Sequence, residues 1–165
     1  MDAPATGIDT EFLLHSVATH APRHYGDRLV SLVVFGSVGR GTAHADSDLD
    51  LLVVADGLPH GRMARVEDFV AVERAATTDA LAVGRAVPRC SPVFKSRDEA
   101  AAGSPLFLDM VDDARLLYDR EGFFAGVLDR LRARLARLGA RRIWRGNAWF
   151  WDLKPDYVPG DVFEL

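Results

Sequence analysis

Two apolar runs on either side of a glycine-rich turn set the pattern of this chain. Leu29 to Phe35 is apolar except for Ser31, and Leu49 with Leu51 to Ala55 forms the second run. Short valine- and leucine-rich runs bounded by glycine read as buried strands. Ahead of them, Asp9 or Thr10 can cap a helix through about Ala21, closed by Pro22 and Gly26, while residues 1–8 are small, polar and expected to fray. Phe12, Leu13, Val17 and Ala21 form its apolar side. After the breakers between Asp56 and Gly61, the spacing of Met63, Val66, Phe69 and Val70 predicts a helix from Arg62 to about Val83.

A third strand is expected near 89–96, and Pro88 and Pro92 put it at a sheet edge. A short helix at 104–111 and a fourth strand at 114–118 follow. Phe124, Val127, Leu128, Leu131, Leu135 and Leu138 recur at spacings of three and four, so a helix spans Phe123 to Leu138, with Gly139 as its C-cap. Trp144, Trp149 and Trp151 fall close together with Phe150, on either side of a tight turn at Arg145-Gly146-Asn147-Ala148. The pattern is that of an α/β fold: a small mixed sheet flanked by helices over residues 1–140, then an aromatic-rich extension over 141–165. That extension packs on its own domain or on a second subunit, as in a homodimer, and the pattern leaves both open.

Composition narrows the picture only slightly. One domain is expected for 165 residues, and 48% hydrophobic with 27% charged residues is ordinary for a soluble globule. A formal net charge of −4 speaks against nucleic acid as a partner, so Arg130, Arg134, Arg137 and Arg141 read as a solvated face. Cys90 is the one cysteine, which excludes an intramolecular disulfide and a cysteine-based zinc site. The N-terminal residues do not read as a signal peptide, and no apolar run reaches membrane-spanning length, so a cytoplasmic location is expected.

The candidate chemistry lies around the glycine turn. Asp48 and Asp50 are two apart at the start of the second strand, so their side chains share a face. Adjacent carboxylates on a half-buried strand repel each other unless a cation neutralises them, and hard oxygen ligands suit Mg2+. Gly36, Gly39 and Gly41 let backbone approach a phosphate chain, and Ser37 and Arg40 supply donors to it. Metal acceptors and phosphate donors this close together describe a site for a metal-bound nucleoside triphosphate. Elsewhere, His20 and His24 read as surface histidines rather than a metal pair, because Pro22 lies between them. Glu67, Asp68 and Glu73 read as a solvated helix face.

Gly36-Ser37, ten intervening residues and Asp48-x-Asp50 resemble the signature of the nucleotidyltransferase superfamily that includes DNA polymerase β. The fuller pattern of Gly36, Ser37, Arg40, Gly41, Ser47, Asp48 and Asp50 is similar to that of the small prokaryotic minimal nucleotidyltransferases. The resemblance implies the nucleotidyltransferase fold, with Mg2+ on Asp48 and Asp50 and nucleotide contacts at Gly36, Ser37, Arg40, Gly41 and Ser47. It implies transfer of a nucleoside monophosphate, AMP from ATP, to a hydroxyl of a partner such as a HEPN-type toxin, for which the chain would act as antitoxin. A small-molecule adenylyltransferase of the aminoglycoside type is the alternative acceptor reading. Enzymes of this type usually carry a third carboxylate on the third strand, where this chain reads Ser91-Pro92-Val93-Phe94. Asp98, Glu99, Asp109, Asp112 and Asp113 are the nearest acids, and they read as helix starts and surface charge. Without that acid, the rival is a non-catalytic nucleotide-binding module.

Overall fold

Strand β1 (Leu29–Val34) is buried along its whole length, as a strand covered on both faces must be. It pairs antiparallel with β2 (Leu49–Ala55) on one side and β4 (Arg115–Asp119) on the other. Strand β3 (Cys90–Lys95) runs parallel to β2 at the edge, so the mixed sheet has the order β3-β2-β1-β4. This computed structural model describes residues 10–44, 46–86, 89–146 and 148–164. The expected fraying of 1–8, the cap at Asp9, and the turn and edge positions Asn147 and Pro88 lie outside the described residues.

Alternation along the strands sends side chains into two separate cores. Leu29, Leu32, Leu49, Leu51 and Val53 meet helices α1 (Thr10–Tyr25) and α3 (Arg62–Ala82). Val30, Val33, Phe35, Leu52 and Val54 meet helix α5 (Phe123–Leu138), the short helix Arg97–Ala101 and a 3₁₀ turn, Pro105–Asp109. Asp50 has the parity of Leu52 and Val54, so its carboxylate lies on the α5 side of the sheet. Among the described residues, no helix is long and apolar enough to cross a membrane.

Several expected details change. Helix α1 does not stop at Pro22 but continues to Tyr25. A proline forfeits one backbone hydrogen bond, and here burial of Ala21 and Tyr25 against the core holds the last turn. His20 Nε2 lies 2.7 Å from Asp79 and His24 Nε2 3.0 Å from Asp68, so both histidines bind α3 instead of standing free at the surface. Asp68 is accordingly part of the α1–α3 contact, not of a solvated face. The buried stripe of α3 is Phe69, Val72, Ala76 and Ala80, while Met63 is 77% exposed, because the helix presents a different face than its first apolar residues suggest. Arg141 begins a strand and is not on the α5 face. Residues 105–109 form a 3₁₀ turn, while Glu99 closes a capping box with Ser96 at the start of its short helix. Hydrogen bonds from Arg65 and the Ser96 amide hold its carboxyl at about 2. Cys90 is buried, and burial with the nearby Glu73 charge pushes its thiol up to about 12.

Asp119 joins three elements. Its carboxylate accepts from the Ser31 hydroxyl at 2.7 Å and from the Phe124 and Ala125 amides at 2.9 Å each. It thereby caps the first turn of α5 from the end of β4. Asp119→Ala is expected to destabilise the fold by about 2–4 kcal/mol in chemical denaturation, since three partners lose an ionised acceptor.

The C-terminal strands β5 (Arg141–Arg145) and β6 (Ala148–Asp152) form a separate antiparallel hairpin. It is tied to the 3₁₀ turn by the Trp151 indole N–H, which donates to the Leu108 carbonyl.

Candidate nucleotide site

Directly after β1 the chain makes one helical turn, α2 (Gly36–Gly39), entered from an extended Phe35. The Phe35 amide donates to the Asp50 carbonyl at 3.1 Å, which fastens the turn to β2 at the acidic residue itself. Arg40 N–H bonds back to Gly36, Gly41 N–H to Val38 and Thr42 N–H to Ser37, so residues 36–42 close on themselves. Gly36 has φ +66, and a β-carbon added there would sit 2.1 Å from Asp50 Oδ2. The Asp50 carboxylate therefore occupies the space that any side chain at 36 would need. Gly39 is constrained from another direction, because a β-carbon there would meet the Asp113 carbonyl oxygen at 2.8 Å.

Asp48 is exposed just ahead of β2, Leu49 is buried, and Asp50 is half-buried, so the two carboxylates flank an inward-pointing leucine. Burial first and the Asp48 charge second raise the pKa of Asp50, opposed by a Ser91 hydrogen bond and by Arg40. Ser91 stands opposite Asp50 in the parallel register, the place where an acid on β3 would have met it. Ser47 uses its hydroxyl to accept from the His44 amide at 2.9 Å, closing the loop before Asp48.

The nearness of two residues to Asp50 escapes the sequence reading. Asp109, set aside there as surface charge, ends the 3₁₀ turn half-buried and adds its charge to the forces raising the pKa of Asp50. Its own carboxyl is pushed up by burial and pulled back by Arg40 and Arg142. Arg40 thus acts on both carboxylates. No local motif marks Asp109 or Ser91, which reach Asp50 only through the sheet register and the return of the chain over its α5 face. Among the described residues, no group of three or more His, Cys, Asp or Glu side chains is placed to hold a metal ion. Asp48 and Asp50 remain a pair of hard, mutually repelling oxygen donors, a set that fits a divalent cation whose other positions are filled from outside the protein.

Known proteins resemble this chain in sequence and in outline. The family model described as Nucleotidyltransferase domain matches residues 21–84, which include the turn and both aspartates. A protein of Methanocaldococcus jannaschii named "Putative protein adenylyltransferase MJ1305" is 32% identical over 119 residues, covering 69% of this chain and 75% of that one. Among solved structures, a toxin–antitoxin crystal structure with AMP-PNP is similar at 19% identity and TM-score 0.46, covering 76% of this chain and 92% of that one. The toxin–antitoxin MntA-HepT is similar at 15% identity and TM-score 0.44, covering 79% and 93%. These two are likenesses of outline and do not bear on the site. By its match to the domain family and to a relative along most of both lengths, the chain belongs to the nucleotidyltransferases and is a transferase.

Proposed function

We propose that this protein transfers the adenylyl group of ATP to a hydroxyl on a protein acceptor, with release of pyrophosphate. The observation that supports the reading is the seat of the Asp50 carboxylate in the space a side chain at Gly36 would fill, which sets an acid suited to a cation beside a turn suited to phosphate. In this reading residues 1–140 carry the site and 141–165 are an extension of it. Asp48 and Asp50 hold Mg2+, which when bound supplies positive charge to the phosphate oxygens. The Gly36–Gly41 backbone lets the phosphates approach closely, and the Ser37 hydroxyl and the Arg40 guanidinium donate hydrogen bonds to the β- and γ-oxygens. Ser47 supports this arrangement by holding the loop that delivers Asp48. Catalysis then rests on alignment and charge neutralisation, as is general for phosphoryl chemistry.

Support for a protein acceptor comes from the M. jannaschii relative, whose name is that of a protein adenylyltransferase. A HEPN-type toxin is the partner we put forward, following the motif resemblance. The test is incubation of the pure protein with ATP, Mg2+ and a purified HEPN-type protein, followed by intact mass spectrometry. The expected result is one or more added adenylyl groups on the HEPN protein; an unmodified HEPN protein, with an aminoglycoside modified instead, would move the acceptor to small molecules.

A further inference from the structure

The C-terminal hairpin lies outside the matched family segment, yet one of its side chains reaches toward the glycine turn. Arg142 stands opposite Trp151 and Trp144 opposite Trp149 in the β5–β6 register. Residues two apart share a face, so Arg142 and the three tryptophans lie on one side of the hairpin. The Arg142 guanidinium carbon is 4.9 Å from the Trp144 ring centre and 4.2 Å from that of Trp149. The same guanidinium ion-pairs with Asp113 at 2.6 Å and Asp112 at 3.6 Å, with only 14% of the side chain exposed. Two aromatic faces and two carboxylates thus fix this cation. The two carboxylates meet it as ion pairs by distance, without the geometry of hydrogen bonds, while its flat face lies over the rings in a way that a lysine ammonium does not reproduce.

The two acids that Arg142 meets end the segment 108–113, which other side chains hold further back. Trp151 donates to the Leu108 carbonyl at 3.2 Å, and Arg132 of α5 donates to the Val111 carbonyl. On its other side the segment abuts the glycine turn, where the missing side chain of Gly39 makes room for the Asp113 carbonyl. The contacts run in sequence from the tryptophans to Arg142, to Asp113, to Gly39 and so to the turn.

We propose that Arg142 is a positioning residue for nucleotide binding, holding residues 112–113 against Gly39 so that the Gly36–Gly41 turn keeps its shape. The inference rests on the nucleotide reading given above. It also gives the aromatic hairpin a role in the site.

Amide hydrogen exchange on the full chain tests the brace, and titration with a fluorescent ATP analogue and Mg2+ tests its use. In Arg142→Met, exchange at residues 36–41 should run about tenfold faster while the strands keep their protection. Nucleotide affinity should fall about tenfold, and Arg142→Lys should recover little of it. If Arg142→Met does not fold, Asp113→Asn and Gly39→Ala strain the same contact from its other partners. Combined in one chain, Asp113→Asn and Gly39→Ala should be less than additive. Unchanged exchange at 36–41 in a folded variant overturns the proposal. So does faster exchange with wild-type nucleotide affinity, since Arg142 would then be structural only. If the wild-type protein binds no nucleotide, the nucleotide reading falls, while the exchange rates still decide whether the brace exists.

Discussion

Asp50→Asn will melt at a higher temperature than the wild-type protein at pH 7 while losing nucleotidyl transfer. The two effects have one cause. Burial and the Asp48 charge hold the Asp50 carboxyl above its ordinary pKa, so ionising it weakens the fold. That penalty is absent below the ordinary carboxylate range and grows as pH rises through the raised value. Without Mg2+, the melting-temperature gap between Asp50→Asn and wild type should therefore close as pH falls below the ordinary carboxylate range and widen as pH rises above it, as differential scanning fluorimetry across pH would read. Asparagine keeps the shape but not the charge that a cation needs, and transfer should fall by about a thousandfold or more. Asp48→Asn should lose transfer similarly with a smaller gain in stability, because Asp48 is exposed. A variant that gained stability and kept its activity would leave the acidic pair with no catalytic use.

Gly36→Ala should damage both the fold and the transfer reaction. Two costs combine at this position. The residue sits at φ +66, where a side chain adds about 1–2 kcal/mol of backbone strain. Its β-carbon would also lie 2.1 Å from Asp50 Oδ2, so the carboxylate must leave its seat. Stability should drop by roughly 1–3 kcal/mol, and transfer should fall about as far as in Asp50→Asn. Gly26→Ala separates the two costs, since Gly26 has φ +55 with nothing within 4 Å. It should show the backbone penalty in urea denaturation and retain its transfer rate. If Gly36→Ala behaved like Gly26→Ala, the contact between turn and carboxylate would have no functional weight.

What could be read from the chain, and what could not, divides along local and non-local interactions. Strands β1 and β2 and the turn between them follow from apolar runs, glycines and period-two parity, all properties of neighbouring residues. Helix α5 is legible for the same reason, since its stripe and Gly139 cap are local. The continuation of α1 past Pro22 is not, because burial of Tyr25 and the His24–Asp68 contact decide it. Met63 reads as core and is exposed, since the face that α3 turns inward is set by packing on α1. The site divides likewise. Asp48, Asp50 and the glycines are visible as a motif. Asp109, Ser91 and Arg142 come from three later elements and join the site through strand register, the 3₁₀ turn and the hairpin. The lack of an acid on β3 is visible in the sequence, whereas the pairing of Ser91 with Asp50 and the approach of Asp109 from a segment that reads as surface are not.

The claim beneath all of this is that the acidic pair and the glycine turn together present ATP for attack at its α-phosphorus. Parallel incubations with α-labelled and γ-labelled ATP, each with Mg2+ and the acceptor protein, test it most directly. The account predicts that label from the α position becomes bound to the acceptor, that label from the γ position leaves as pyrophosphate, and that both Asp48→Asn and Asp50→Asn abolish the incorporation. Incorporation of the γ label, or α-label incorporation that persists in either variant, would contradict it.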